Sequence, residues 1–350
     1  MRILLIKPKH IGDTLLLTPT IRGIRLAHPD AEIWVVVRAG CEGILAGCPD
    51  IARILRVAPV EKRDRRLRDI FRNDLNTFVQ IFAHRFDYAF ELGDGTRGRN
   101  LLGLARAGDH RFSVKPGEPD DPRLQKAFRK MGARVSTFDW QLCHRVEKDY
   151  YTVKEFLALP ETIPPLIFEP ERAQPWAPGE GLTEFCVVQV GTRQGFNRWH
   201  RDGWRAVCRA LLERFQQVVL TCGPVAHERA EAAELARELG PRALTTDGRA
   251  TWPQMAWLLG RARLYVGPST AALHLAAACG CPVAAIFGPT IEDHWRPWRV
   301  PHRIVTRPGY VAPVDVAERI EAARQRTTAD IQPAQVIAAC DELLAECAPS

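Results

Sequence analysis

The stretch at 263–290, RLYVGPSTAALHLAAACGCPVAAIFGPT, reads as strand, tight turn, helix, tight turn, strand. Residues 264–266 form a short apolar strand. Gly267-Pro268-Ser269 is turn chemistry, and Ser269 or Thr270 is suited to cap the helix that follows. Residues 271–279 are rich in Ala and Leu, both strong helix formers. Gly280 suits the helix C-terminus, and Pro282 stands where a helix cannot continue. Residues 283–287 are wholly apolar, as expected of a parallel strand buried on both faces. The whole is a βαβ unit with small residues at the helix N-terminus, where free N–H groups and the helix dipole face one point. That geometry suits an anion, with His274 one turn into the helix as a further donor. The same pattern also suits a packing unit that holds no ligand.

The 350 residues suffice for two domains. Hydrophobic content of 46% and charged content of 25% are those of an ordinary soluble globular protein. A net charge of +7 favours anionic partners without choosing among them. The ten cysteines include no CxxC pair and no zinc-ligand spacing, so they are expected to be reduced, mostly buried thiols of a cytosolic protein. The apolar run at the start is too short for a signal peptide, and no run of about 18 apolar residues spans a membrane.

The first 38 residues repeat the βαβ pattern. Strand 2–6 leads into the polar loop Lys7-Pro8-Lys9-His10-Ile11-Gly12-Asp13, a helix over 14–27 that Pro19 kinks or restarts, and strand 32–37. Further strands are predicted at 53–57, 88–92, 185–190, 218–222 and 244–246. Helices are predicted at 42–46, 64–82, 96–107, 138–159, 201–215, 226–239, 253–259, 314–326 and 332–344, the last with Asp330 as its cap. The segment EKRDRRLRDIFR within 64–82 and just before it reads as a solvated helix face or as a contact with an anionic surface. Six prolines between 160 and 178 mark the break between domains. The expected organisation is an N-terminal Rossmann-like domain over 1–165, a linker over 166–180 and a C-terminal Rossmann-like domain over 181–328. A C-terminal helix over 329–350 is expected to pack back on the first domain. The fold class is α/β with parallel sheets, whose ligands bind at the carboxyl ends of strands. The informative loops are therefore 7–13 and 93–97, then 191–199, 223–228, 267–274 and 288–298.

No P-loop and no G-x-S-x-G elbow is present. No turn is read as a dinucleotide fingerprint, so nicotinamide cofactors are not expected. Asp13 begins a helix after the first strand, where it serves either as a helix cap or as a general base kept ionised by the dipole. Thr192 and Arg193 follow a strand directly, with Arg198 close behind, and suit phosphate. Glu228 follows the Gly223-Pro224 turn, as a holder of ribose hydroxyls or as a solvated first-turn acid. His294-Trp295-Arg296-Pro297-Trp298 reads as a structural clamp or a ligand contact.

Four of these stretches carry a family resemblance: RILLIKPKHIGDTLLLTP, VVQVGTRQGFNRW, VGPSTAALHLAAACGCPVAAIFGPT and HWRPW. Together they resemble the bacterial lipopolysaccharide heptosyltransferases, glycosyltransferase family 9. The resemblance implies a GT-B architecture, two Rossmann-like domains facing an interdomain cleft. It implies inverting transfer of heptose from ADP-heptose, as co-substrate, to a sugar hydroxyl of the lipopolysaccharide inner core. Asp13 corresponds to the catalytic base, with Lys7, His10 and Gly12 on the acceptor side. Thr192, Arg193, Arg198, Glu228, Ser269, Thr270, Ala271 and His274 would bind the donor. No cofactor or metal is implied, and no nucleic-acid partner. The acceptor is a lipid-linked oligosaccharide, which puts the enzyme in the cytoplasm at the inner face of the membrane. Two positions depart from the pattern. Ser269 stands where relatives often carry an acid, and Asn197 where they often carry Lys, so Arg193 or Arg198 is expected to supply the charge.

Overall fold

The computed structural model describes residues 1–59, 70–117 and 122–347. The chain divides into two compact units, Met1–Ile167 and Phe168–Ser350.

The first unit holds a six-stranded sheet. Its strands are β1 (Arg2–Ile6), β2 (Glu32–Arg38), β3 (Arg53–Val57), β4 (Tyr88–Glu91), β5 (Arg111–Ser113) and β6 (Ala133–Val135). All pairs are parallel, in the order β3-β2-β1-β4-β5-β6. Ile3 to Ile6 are fully buried, as are Ile33 and Val35 to Val37, because helices cover both faces. The strand order reverses between β1 and β4, so the loops after these two strands bound the ligand crevice of such a sheet. Pro19 restarts the first helix as expected: Ile11–Leu15 ends, and Thr18–Ala27 begins with proline in its first turn.

The second unit repeats the plan with β7 (Phe185–Gln189), β8 (Gln217–Thr221), β9 (Ala243–Thr245), β10 (Tyr265–Pro268), β11 (Val283–Ile286) and β12 (His302–Val305). Their order is β12-β11-β10-β7-β8-β9, again all parallel. The reversal here falls between β7 and β10. The Arg263–Thr290 stretch therefore supplies β10, the helix Ala271–Ala278 and β11, with Gly280 at φ +72° just past the helix end.

Several expectations are corrected. The long helix over 138–159 is only Arg145–Lys154. Ahead of it, Glu155 accepts hydrogen bonds from Ser136 and Thr137, and the Trp140 indole donates to the Lys115 carbonyl at 2.7 Å. These contacts hold 136–144 out of the helix, which starts at a capping box of His144 and Glu147. The expected helix over 64–82 lies partly outside the described residues. From Ile70 the chain winds as one wide turn to Leu75, then as the α-helix Asn76–Ala83. β5, β6 and β12 were not anticipated, nor was the helix Pro122–Met131. The last helix, Pro333–Glu346, is capped at Gln332, whose N–H donates to Gln335 Oε1 at 2.9 Å, rather than at Asp330. Val336, Ala339, Cys340 and Leu343 of this helix are part of the second unit's core with Cys186, Val207 and Leu211. Six of the ten cysteines are buried. Among the described residues no helix is long and apolar enough to cross a membrane.

Candidate active site

In the first unit the apolar run of β1 ends at Lys7, whose backbone N–H still pairs with Val36 while its side chain turns inward. Lys7 is 3% exposed, and its ammonium ion-pairs with Asp149 of the 145–154 helix, 1% exposed. Burial pushes the Asp149 carboxyl up, and the Lys7 ammonium opposes that shift. His10 caps the Ile11–Leu15 helix through its carbonyl, which accepts from the Thr14 N–H and hydroxyl, and its ring faces solvent. Gly12 and Asp13 lie half-buried in that first turn.

The 145–154 helix adds two cations that sequence reading missed. Lys148 Nζ lies 4.1 Å, and the Arg145 guanidinium carbon 4.6 Å, from the centre of the Trp140 ring. Burial, and next the Arg145 charge, lower the Lys148 pKa to about 8. Burial also lowers Arg145, against which Asp13 is the first of the opposing charges. Lys7, Asp13, Arg145, Lys148 and Asp149 thus form one electrostatic group at the carboxyl end of β1.

The neighbouring loop contains another missed feature. Gly93, Gly95 and Gly98 have the G-x-G-x-x-G spacing between a strand and a helix. A dinucleotide site of that pattern presents its turn N–H groups to a pyrophosphate. Here Glu91, fully buried at the end of β4, fills that place. Its Oε1 accepts from the Gly93 N–H at 2.9 Å and the Gly95 N–H at 3.4 Å, and Oε2 accepts from Ser113. A Cβ on Gly98 would sit 2.5 Å from Glu91 Oε1. The cradle is filled from inside by the protein's own carboxylate, which burial pushes upward in pKa.

In the second unit Asn197 joins three loops. It is 2% exposed; its Nδ2 donates to the Ser269 carbonyl at 3.3 Å, and its Oδ1 accepts from the Thr290 hydroxyl at 3.4 Å. The loops after β7, β10 and β11 therefore meet at this one amide. Thr270 occupies the N-cap position of the Ala271–Ala278 helix without a side-chain capping bond. The first-turn N–H groups there lack the capping partner that sequence reading offered. Thr192 is buried, its hydroxyl accepting from the Gln194 N–H, while Arg193 is exposed. His274 is 3% exposed, its ring 6.1 Å from that of Trp295. His294 and Trp298 of the same aromatic run are buried.

Glu228 is not a solvated acid. It is 3% exposed, and its Oε2 accepts from the Gly223 N–H at 2.8 Å. Cβ atoms on Gly191 and Gly223 would lie 2.3 and 2.8 Å from that oxygen. The carboxylate therefore sits beneath the loops after β7 and β8. Arg198, expected to meet the donor, is ion-paired with Glu231 on the Ala226–Leu239 helix, both side chains half-exposed. Among the described residues no three His, Cys, Asp or Glu side chains converge as metal ligands.

The profile of glycosyltransferase family 9 (heptosyltransferase) matches residues 134–321, more than half of the chain. Lipopolysaccharide heptosyltransferase 3 of Escherichia coli K12 is 28% identical over 98% of each chain. Among solved structures, a family 9 glycosyltransferase from Veillonella parvula superposes with a TM-score of 0.78 at 17% identity, over 99% of this chain and 97% of its own. E. coli heptosyltransferase WaaC with ADP-2-deoxy-2-fluoro heptose gives 0.75 at 18%, over 98% and 99%. The two Rossmann-like sheets are those of the GT-B fold. With the family profile spanning from the end of the first unit through most of the second, the chain belongs to glycosyltransferase family 9, the heptosyltransferase family.

Proposed function

We propose that this glycosyltransferase moves heptose from ADP-heptose to a sugar hydroxyl of the lipopolysaccharide inner core, with inversion. The observation that carries the reading is the switch point of the second unit. There an uncapped helix N-terminus at Thr270–Ala271 adjoins the loop tied down by Asn197, and the buried Glu228 carboxylate lies under the loops beside it. An N-terminus of this kind accepts a diphosphate, and a carboxylate beneath two glycine loops accepts ribose hydroxyls. A relative named lipopolysaccharide heptosyltransferase 3, and a heptosyltransferase of similar structure solved with ADP-2-deoxy-2-fluoro heptose, support the choice of acceptor and donor.

In the reaction the acceptor hydroxyl attacks the anomeric carbon on the face opposite the diphosphate. A new glycosidic C–O bond forms as the bond from that carbon to the phosphate oxygen breaks, and ADP departs with the electron pair. The hydroxyl proton passes to the Asp13 carboxylate. Negative charge growing on the leaving diphosphate is met by the N–H groups at Ser269, Thr270 and Ala271, by His274, and by Thr192 and Arg193. Arg198, ion-paired with Glu231 and half-exposed, lies close behind in the same loop. The reading requires no metal. Lys7 and Gly12 set the Asp13 loop, and His10 faces the acceptor side. The acceptor is lipid-linked, so the enzyme works peripherally at the inner face of the membrane.

The test is release of ADP, with product mass, from ADP-heptose and a water-soluble inner-core acceptor. Asp13→Ala is expected to lower kcat by about 10²–10⁴ with little change in donor KM. Retention of kcat within about tenfold removes Asp13 as the base. Turnover of a UDP-sugar with none of ADP-heptose overturns the donor assignment.

A further inference from the structure

The helix Asn76–Ala83 packs on the first unit the wrong way round for an amphipathic helix. Together with the wide turn that leads into it, its inward face is Asp74, Thr77 and Ile81. Asp74 accepts from the Ala58 N–H at 2.7 Å and pairs with Arg97, and the Thr77 hydroxyl donates to the Arg56 carbonyl at 2.6 Å. The outward face of turn and helix is Leu75, Phe78, Val79 and Phe82, which are 55, 39, 52 and 66% exposed. These four follow the i, i+3, i+4, i+7 spacing of a single stripe. The helix is thus anchored by polar groups and shows its apolar side to solvent. Of the eleven large hydrophobic side chains exposed among the described residues, four belong to this one stripe.

The rim of the stripe is cationic. The Arg53 guanidinium reaches Gln80 at 2.7 Å, Arg106 reaches the Phe82 carbonyl at 3.4 Å, and Arg85 follows, exposed, beyond the C-terminus. No acidic residue occurs between Leu75 and Arg85. The sequence leading in, from Glu61 to Arg72, has six basic residues against three acidic ones. An apolar stripe with a basic rim is complementary to an anionic, apolar surface. A second copy using the same face would oppose one basic rim to another, which disfavours a symmetric dimer.

We propose that this stripe is the face by which the enzyme lies on an anionic phospholipid bilayer, with Phe78 and Phe82 entering the interface and Arg53, Arg85 and Arg106 meeting lipid phosphates. The proposal takes the lipid-linked acceptor from the function proposed above, but the two fail separately.

The experiment is co-sedimentation of the full chain with phosphatidylglycerol-containing vesicles and with pure phosphatidylcholine vesicles. It is paired with gel filtration and with ADP release on a water-soluble acceptor. Wild type is expected to bind the anionic vesicles, more weakly as salt rises. Phe78→Ser/Phe82→Ser is expected to reduce that partition by at least about tenfold, with ADP release unchanged. Leu75→Ser/Val79→Ser is the second variant, should the first melt early. Equal sedimentation of wild type and both variants overturns the proposal, as does failure of wild type to bind anionic vesicles. A wild-type dimer that both variants dissolve, without vesicle binding, also overturns it and makes the stripe an interface between copies. Vesicle binding without ADP release leaves the surface standing and removes the proposed function.

Discussion

At the scale of single residues, Lys148 gives the sharpest consequence. Its ordinary pKa of 10.5 falls to about 8, first through burial and then through Arg145. Between about pH 8 and 10.5 the unfolded chain therefore holds a proton on this amine that the folded chain has released. Stability rises with pH wherever the unfolded state binds more protons. Lys148 thus makes the protein gain stability as pH climbs through this window, and that gain is lost as pH falls through about 8. Lys148→Met removes the group. Urea unfolding of both proteins at pH 7, 8, 9 and 10 is expected to show wild type gaining on the variant at each step, with the variant no less stable at pH 7. Parallel stabilities across the series would contradict the assignment. Asp13's place in the first turn of a helix after the first strand was legible from the polar loop and Gly12 ahead of it. Lys148 was not: within the helix expected over 138–159 nothing in VEKDYY marks the lysine for burial, and only the fold buries it. Glu91 was equally hidden: a strand that ends in an acid gives no sign that the acid will turn back and fill a glycine loop.

At the scale of elements, the units built on β7, β8, β10 and β11 were readable, since each of these strands is built on an apolar run. Short elements were not. β5 and β6 have three residues each and β12 four, too few to show a period. The 138–159 segment failed for the opposite reason: its apolar spacing suits a helix, but Trp140 and Glu155 anchor the chain elsewhere. The loops around Glu228 show how elements are locked together. A Cβ on Gly191 would meet Glu228 Oε2 at 2.3 Å and Cys222 Cβ at 3.0 Å. The buried carboxylate has little room to yield, because Gly223 crowds it from the next loop. Gly191→Ala is expected to destabilise by about 1–3 kcal/mol, the usual cost of overpacking. It should weaken ADP binding at the same time, since the displaced group is the proposed ribose holder. Thermal melting and titration calorimetry check both effects together. An unchanged Tm with unchanged ADP affinity would show that Glu228 moves freely and holds neither the loops nor the nucleotide.

At the scale of the molecule, each unit has its own sheet, and all the proposed donor residues lie in the second. The sequence reading placed a boundary at 328, on the expectation that the last helix belonged elsewhere. Within the second unit that segment meets the site loops. Ile331 is buried, and its carbonyl accepts from the Trp199 indole at 3.1 Å, two residues from Asn197. The Thr328 hydroxyl donates to the Arg198 carbonyl, and a Cβ on Gly288 would lie 2.9 Å from the Thr328 methyl group. The C-terminal segment therefore braces the loops after β7 and β11. Removing 329–350 exposes the faces that Ile331, Val336 and Leu343 cover, and starting at 181 also removes the buried Trp176. At about 1.5–3 kcal/mol for each large side chain, four such losses total about 6–12 kcal/mol, comparable to the whole stability of a domain. A fragment of residues 168–350 is accordingly expected to melt cooperatively and to bind ADP within about tenfold of the full chain. A fragment of 181–328 is expected neither to fold nor to bind. Circular dichroism melts and calorimetry on the two fragments decide the point. Cooperative folding of the shorter one would remove the brace. Loss of ADP binding by a folded 168–350 fragment would mean that the nucleotide also depends on residues of the first unit.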